Sequence, residues 1–165
     1  KVIKASPSEN ILVFWSGHGA PGSLIIGDGT SSNCAEFTYS DMKDALDSST
    51  GKFRQMLWII ETCYGGSVGK ACEGYSGVLC ITAAGENEKS IASRQQHPDL
   101  RLSVSNNFTM LMEETLNQRN NSISILELYK DLYSESMGSH AKCYNSAHFG
   151  DIKNINIKDF VEAHT

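Results

Sequence analysis

Three short runs of apolar residues mark the core of the chain: Ile11–Trp15, Met56–Ile60 and Val78–Ile81. Each run is almost continuous rather than alternating, and each is rich in β-branched or aromatic residues. Continuous apolar runs of this length are typical of strands buried on both faces of a parallel sheet. Glycine and polar residues bound all three runs, which favours strands over short buried helices. The pattern therefore predicts three core strands.

A helix is predicted between the first two core strands. Ser40 can act as its N-cap, and Met42, Ala45 and Leu46 follow at helical spacing. Ser23–Ile26, just ahead of this helix, predicts a hairpin or short strand.

The chain is polar after the third core strand. Residues 85–101 predict a loop long enough to be functional. Two helices are predicted next, over about 104–118 and 125–133. Ser124 and Glu127 form a capping-box pattern at the start of the second helix.

The tail from residue 140 is mixed, with a last strand predicted near Ala147–Phe149 or Ile155–Ile157. Strands that alternate with helices predict an α/β doubly wound sheet. The 165 residues suffice for one domain with a core but not comfortably for two, so residues 1–165 are predicted to form a single domain.

Ile11–Trp15 is apolar enough for an interior strand, and an exposed edge of that kind favours aggregation. We therefore expect an upstream segment, lost or present as a second chain, to pair beside it.

Composition excludes several classes of function. The net charge of −5 argues against nucleic-acid binding, which needs a cationic surface. No apolar run approaches the roughly 20 residues of a membrane-spanning helix. The five cysteines show no spacing typical of a zinc site, and their odd number leaves at least one unpaired within the chain.

Two core strands end in small, polar, glycine-rich tips. The first reads Ser16-Gly17-His18-Gly19, and the second reads Glu61-Thr62-Cys63-Tyr64-Gly65-Gly66-Ser67. In open α/β sheets, sites form at the carboxyl ends of the strands. Two parallel strands joined by a crossover helix would bring His18 and Cys63, 45 positions apart, to the same edge of the sheet.

A cysteine and a histidine in this arrangement suit nucleophilic catalysis. A thiol is mostly protonated at neutral pH, and a nearby imidazole can take its proton during attack. The backbone N–H groups of Gly19 and Cys63 are candidates for an oxyanion hole. A lone cysteine after a strand is more often an inert core thiol, and a lone histidine in a turn is more often structural. The combination of the two glycine-flanked tips is what indicates catalysis.

The residues around Cys63 resemble those of known cysteine peptidases. Glu61-Thr62-Cys63-Tyr64-Gly65, with His18 upstream, is similar to the Q-A-C-x-G signature of caspases, whose histidine lies about 50 residues upstream. The chain resembles the legumain, or asparaginyl endopeptidase, family more broadly. Four stretches carry this resemblance: Lys1–Gly19, Met56–Ser67 (the family's E-A-C-x-x-G-S strand, here E-T-C-Y-G-G-S), Ile81–Ala92 and Gly138–Tyr144.

The resemblance implies a caspase-like three-layer sandwich, a mostly parallel sheet with helices on both faces, and it implies strands ahead of the histidine strand that are missing here. It implies a cysteine endopeptidase with His18 and Cys63 as the dyad and Gly19 as an oxyanion donor. Glu61 and Ser90 match positions that line the primary specificity pocket. The preference at the cleaved bond stays open among Asn, Asp and a basic residue, because a pocket carboxylate could pair with Lys or Arg.

The same resemblance implies a peptide or protein substrate and an N-terminal chain or segment of the same precursor as partner. It also implies autoprocessing and a secreted or lysosome-like location, with no metal and no other cofactor. Two alternatives stay open. The stretch His97–Glu113 resembles the catalytic subunit of the GPI-anchor transamidase, in which an amine replaces water as acceptor. The dyad could also be vestigial in an inactive binding module.

Overall fold

A computed structural model describes residues 5–27, 34–91, 106–133 and 138–161. Its strands are β1 (Asn10–Ser16), β2 (Gly19–Ala20), β3 (Ser23–Ile26), β4 (Ala35–Thr38), β5 (Gln55–Glu61), β6 (Val78–Thr82) and β7 (Lys142–Tyr144). Its helices are α1 (Tyr39–Ser49), α2 (Gly66–Gly69), α3 (Asn107–Gln118), α4 (Ile125–Leu132), α5 (Ser146–Phe149) and α6 (Lys158–Val161), and a 3₁₀ turn, Lys70–Cys72, continues α2.

The main sheet has the strand order β1-β5-β6-β7. β1, β5 and β6 are parallel, and β7 pairs antiparallel with β6. These three parallel strands are the apolar runs of the sequence, so the core-strand prediction is confirmed. The register places Ser16 of β1 opposite Glu61 of β5, which brings the two strand ends level. A second, antiparallel sheet, β2-β3-β4, carries the predicted hairpin.

Helices cover both faces of the main sheet, as a three-layer α/β sandwich requires. Successive residues of β5 and β6 point to opposite faces, and both faces are buried. One face packs against α3 and α4, with a core that includes Leu57, Ile59, Leu79, Ile81, Phe108, Ile125 and Leu128. The other face packs against α1 and α2, with a core that includes Met56, Trp58, Ile60, Met42, Leu46 and Val68.

Helix α1 begins two residues earlier than the sequence suggested. Its N-cap is Thr38, whose hydroxyl accepts the Asp41 N–H at 3.2 Å while the Asp41 carboxylate accepts the Thr38 N–H at 2.8 Å. The prediction of Ser40 as the cap was therefore wrong. The preceding strand β4 ends at Thr38, so the cap residue keeps the extended conformation that an N-cap needs.

The later elements differ in detail from the sequence prediction. The helix expected from residue 104 begins at Asn107. The capping box of Ser124 and Glu127 at the start of α4 is confirmed.

The expected tail strand was wrong. Ala147–Phe149 lies in the helix α5, Ile155–Ile157 contributes a single bridge through Asn156, and the last strand is instead Lys142–Tyr144. The Lys142–Tyr144 run is too short and too mixed to show a strand pattern in the sequence.

Strand β1 forms one edge of the main sheet in the described ranges, where it pairs with β5 alone. Its side chains are only partly covered, and Phe14 is 44% exposed. A cavity of about 390 Å³ beside this edge is lined by apolar side chains that include Leu12, Phe14, Met112, Leu116 and Val161. None of the helices in these ranges combines the length and apolarity needed to cross a bilayer.

Candidate active site

His18 and Cys63 both follow the carboxyl ends of neighbouring parallel strands. The β1–β5 ladder continues past Ser16, because the Gly17 N–H donates to the Glu61 carbonyl at 3.1 Å. His18 comes next along one chain segment and Cys63 lies two residues beyond Glu61 along the other. The His18 side chain is exposed and Cys63 is half-buried. The structure thus places both predicted residues at one edge of the sheet.

Cys63 lies in a tight turn between β5 and α2. Tyr64, the next residue, has a φ of 57°, in the left-handed region that a non-glycine residue occupies only at a cost in energy. The Ser67 N–H donates to the Tyr64 carbonyl at 2.8 Å and closes the turn. The Cys63 thiol donates to the Ser90 carbonyl at 3.7 Å. The turn therefore holds the sulfur against the chain segment that carries Ser90.

Gly19 packs directly on the backbone of this turn. A Cβ added to Gly19 would overlap the Cys63 carbonyl oxygen and would come within 2.8 Å of the Thr62 hydroxyl. Only glycine allows so close an approach between the segment after His18 and the segment that contains Cys63. The contact ties the two predicted tips together without any side chain from Gly19.

Two backbone N–H groups near the thiol are left unused by the secondary structure. In an antiparallel ladder, hydrogen-bonded and non-hydrogen-bonded pairs alternate. The Ile25 N–H donates to the His18 carbonyl at 2.9 Å, so Gly19, opposite Leu24, occupies a non-hydrogen-bonded position with its N–H turned away from β3. The Cys63 N–H makes no hydrogen bond among the described residues. The strand ladders of the described residues therefore leave both N–H groups available.

Ser67 bridges the two tips in a way that the sequence did not reveal. Its buried hydroxyl donates to the Tyr64 carbonyl at 2.6 Å and accepts the Gly22 N–H at 2.7 Å. Gly22 lies in the turn of the β2–β3 hairpin that follows His18. The serine thus fixes the spacing between the Cys63 turn and the His18 hairpin. The sequence signal was its place in the Glu61–Ser67 tip, but the pattern gave no indication of the partner.

If His18 and Cys63 act together in the peptide cleavage that the sequence predicts, replacing Ser67 with alanine is expected to lower its kcat/KM by about 10-fold to 100-fold, since small displacements of reacting groups cost this much. The substitution leaves the Gly22 N–H without its acceptor and frees the hairpin to move relative to the thiol. Ser48→Ala is the matched control, because the Ser48 hydroxyl bonds only within α1 and is exposed. Kinetics corrected for the titrated concentration of reactive thiol test this role, and equal kcat/KM for Ser67→Ala and Ser48→Ala would exclude it.

Glu61 is buried, with only 1% of its surface exposed. Its Oε1 accepts the Thr109 N–H at 3.3 Å, and its Oε2 accepts the hydroxyls of Ser16, at 3.1 Å, and Thr109. Thr109 lies in the first turn of α3, where the helix dipole favours a negative charge. Because a carboxylate oxygen can accept two hydrogen bonds, Oε1 retains one acceptor position among the described residues. The sequence did not indicate Thr109 as a partner.

Ser90 lies in the segment that follows β6, close to Cys63. Its carbonyl accepts the Cys63 thiol, whereas its hydroxyl is buried and has no hydrogen-bond partner among the described residues. The Thr62 hydroxyl is in the same state. Buried hydroxyls are usually satisfied in folded proteins; these two belong to the chain neighbour of Cys63 and to the residue whose carbonyl accepts its thiol.

The other predicted features are placed as follows. Cys72 and Cys80 are fully buried, Cys34 and Cys143 are half-buried, and no disulfide joins the five cysteines, all of which are described. Burial raises the pKa of Cys80 well above its ordinary value, so this thiol is a poor nucleophile. His97 and most of the stretch that resembles the transamidase lie outside the described residues.

The comparison with protein families decides the classification. The model of the peptidase C13 family matches residues 1–161. The chain belongs to this family. The legumain resemblance in the sequence is thereby confirmed at the level of the family.

Curated relatives of this C13 chain carry names from the same group. The chain is similar to the vacuolar-processing enzyme delta-isozyme of Arabidopsis thaliana, with 28% identity over 99 residues, 54% of this chain and 19% of the relative. It is also similar to the legumain of Canavalia ensiformis, with 35% identity over 71 residues, 41% of this chain and 14% of the relative. The chain thus matches less than a fifth of the length of either relative.

The C13 chain has the fold of caspases. The crystal structure of caspase-1 from Spodoptera frugiperda superposes with a TM-score of 0.57 over 99% of this chain and 68% of that chain, at 14% identity. A sequence identity this low supports a conclusion about the fold alone. It confirms the predicted α/β caspase-like architecture with its mostly parallel sheet.

Proposed function

We propose that the protein is a cysteine endopeptidase that hydrolyses peptide bonds through an acyl-enzyme on Cys63, with His18 as general acid and base. The observation that carries this proposal is the Gly19–Cys63 backbone contact, which joins the histidine tip and the cysteine tip at one edge of the sheet. Membership of the C13 family supports the reaction class. Cys63 is only half-buried, which is consistent with access by a peptide.

The proposed reaction has two steps. The Cys63 sulfur attacks the peptide carbonyl and its proton passes to His18. The tetrahedral intermediate collapses to a thioester as His18 protonates the leaving amine. Water then attacks the thioester, His18 takes a proton from that water, and the acid product leaves as the thiol is re-formed. No metal or redox partner enters this balance.

The Gly19 and Cys63 N–H groups are the proposed oxyanion hole. Among the described residues, neither N–H group donates a hydrogen bond within the strand ladders. The backbone segments that carry them pack tightly against each other. Preorganised donors of this kind act without any cost of reorganisation during the reaction, and each contributes about 3 kcal/mol of transition-state stabilisation.

Glu61 and Ser90 are proposed to line the primary specificity pocket. Among the described residues, Glu61 Oε1 keeps one acceptor position for an N–H of a substrate side chain, and the Ser90 hydroxyl keeps its capacity for a second hydrogen bond. An amide or a cationic side chain at the cleaved residue can supply such N–H groups. An ion pair with Lys or Arg would use the Glu61 charge most fully.

A panel of acyloxymethylketone peptides with Asn, Asp, Lys or Arg at the cleaved position tests both parts of this proposal. Intact-mass analysis is expected to show one adduct per molecule, and Glu61→Gln is expected to change the relative labelling rates of the four peptides by at least about tenfold, because a buried charge is lost. Glu114→Gln, on the exposed face of α3, is the matched control. An unchanged ranking in Glu61→Gln would remove Glu61 from the pocket and leave the nucleophile assignment standing.

A further segment of the same precursor, joined or cleaved from it, is proposed to cover the β1 edge. Three features support such a partner: the outer edge of β1 has no strand partner among the described residues, Phe14 is exposed, and an apolar cavity lies beside it. The caspase chain, which extends beyond the superposed part, supports it as well. Hydrogen exchange in the intact protein tests the idea, since the outward-facing β1 amides should be protected, and rapid exchange there would contradict it.

The names of the relatives support a vacuolar or other extracytoplasmic location.

A further inference from the structure

Two backbone carbonyls of the segment over residues 85–91 accept hydrogen bonds from the Cys63 turn. The Glu88 carbonyl accepts the Tyr64 N–H at 2.7 Å, and the Ser90 carbonyl accepts the Cys63 thiol at 3.7 Å. The position of this segment therefore sets where the Ser90 side chain lies relative to the sulfur.

The Glu88 carboxylate also bonds the same segment to His140. Its Oε2 accepts the N–H groups of Gly85 and His140, each at 3.1 Å, and its Oε1 lies 2.6 Å from the His140 Nδ1. Burial raises the pKa of Glu88, but the hydrogen bonds from Gly85 and His140 together outweigh burial and hold the pKa below its ordinary value. One residue thus links the Cys63 turn, through its carbonyl, to His140, through its side chain.

The two residues that flank His140 are held in place by buried contacts. The neighbouring Ser139 hydroxyl is buried and donates to the Ala83 carbonyl at 2.8 Å. On the other side of His140, Ala141 is fully buried and leads into β7, which pairs with β6. The His140 side chain itself is exposed over 66% of its surface, so its place at Glu88 comes from these flanking contacts and from the two bonds to the carboxylate.

We infer that Glu88 and His140 are positioning residues that hold the Ser90 segment in register with Cys63, so that a peptide side chain meets its pocket while the thiol reaches the carbonyl. This inference rests on the proposed peptidase function. The pair touches neither the reacting atoms nor the sulfur. Its effect falls on the binding of peptide substrates, and the intrinsic reactivity of the thiol is independent of it.

The test measures KM and kcat for a peptide amide substrate in the intact protein, with active sites counted by a titrating electrophile. His140→Ala and Glu88→Gln are expected to raise KM about tenfold and to change kcat by less than about threefold, the pattern of lost substrate binding. The rate of alkylation by iodoacetamide is expected to stay within about twofold of the unchanged protein, because the hydrogen bonds from Tyr64 and Cys63 to this segment use its backbone carbonyls and neither substituted side chain. His140→Asn is expected to restore KM, since its amide N–H can replace the Nδ1 donor to Glu88.

His148→Ala is the matched control, because His148 is exposed and lies on α5, away from this segment. A lower titrated active fraction with unchanged KM would reduce the pair to a purely structural role and overturn the inference. A His140→Asn variant no better than His140→Ala would overturn it as well. Failure of the proposed function itself is distinguishable, since it would show as absent cleavage in the unsubstituted protein.

Discussion

Replacing Cys63 with alanine is expected to lower kcat/KM for peptide cleavage by about 10⁴-fold or more, the loss typical of removing a catalytic nucleophile. Replacing His18 with alanine is expected to cost a similar factor, and the double variant should lose little beyond either single one. Residues that act as one unit give such non-additive losses. Steady-state kinetics on the purified variants, with folding checked by circular dichroism, measures all three.

Cys80→Ala is the matched control for this experiment. It also removes one thiol, but Cys80 lies in β6, fully buried against α2, and no substrate can reach it. Its cleavage activity should stay close to that of the unsubstituted protein once its folded fraction is counted. If cleavage survived in Cys63→Ala and disappeared in Cys80→Ala, the assignment of Cys63 as the nucleophile would be wrong.

Replacing Gly19 with alanine is expected to abolish cleavage almost completely and to destabilise the fold. The added methyl group would overlap the Cys63 carbonyl oxygen, so the histidine hairpin must move away from the cysteine turn. That movement also displaces the proposed Gly19 oxyanion donor, whose loss alone lowers kcat by about 10²-fold to 10³-fold. The overpacking itself costs about 1–3 kcal/mol of unfolding free energy. Urea unfolding and active-site-corrected kinetics separate the two effects.

Gly85→Ala provides the comparison for this substitution. Gly85 is buried and, like Gly19, lies near the Cys63 turn, but a Cβ there meets its nearest neighbours, Glu88 and Lys142, at an ordinary 3.6 Å. Its kcat/KM should fall far less than that of Gly19→Ala. If Gly19→Ala retained most of its activity, the close approach of the two tips would not matter for catalysis.

The core of the fold could be predicted from the sequence because its central strands, β5 and β6, are buried on both faces. Burial on both faces leaves an unbroken apolar run such as Met56–Ile60, which few other structures produce. Strand β7 and helix α5 could not be predicted, because they are three and four residues long and owe their conformation to packing against β6. The α1 cap was misplaced because Thr38 and Ser40 are both good cap residues, and only the end of β4 decides between them.

The candidate site was predictable only for residues whose type carries the chemistry. His18 and Cys63 stand out because a thiol and an imidazole at glycine-rich strand ends form a recognisable pattern. Ser67, Thr109 and His140 contribute through partners that lie 45 or more positions away along the chain. A single sequence holds no trace of such pairs, since any hydroxyl or imidazole at those positions looks like an ordinary polar residue.

The most direct test of the central claim is to trap the acyl-enzyme during cleavage of a peptide and to locate it by mass spectrometry. Acid quenching early in the reaction is expected to show the mass of the acyl half of the substrate on the tryptic peptide Gln55–Lys70, which contains Cys63 and no other cysteine. The adduct should be absent from Cys63→Ala and should form far more slowly in His18→Ala. Rapid cleavage with the acyl group on any other peptide, or an adduct that forms at full rate without His18, would contradict the account.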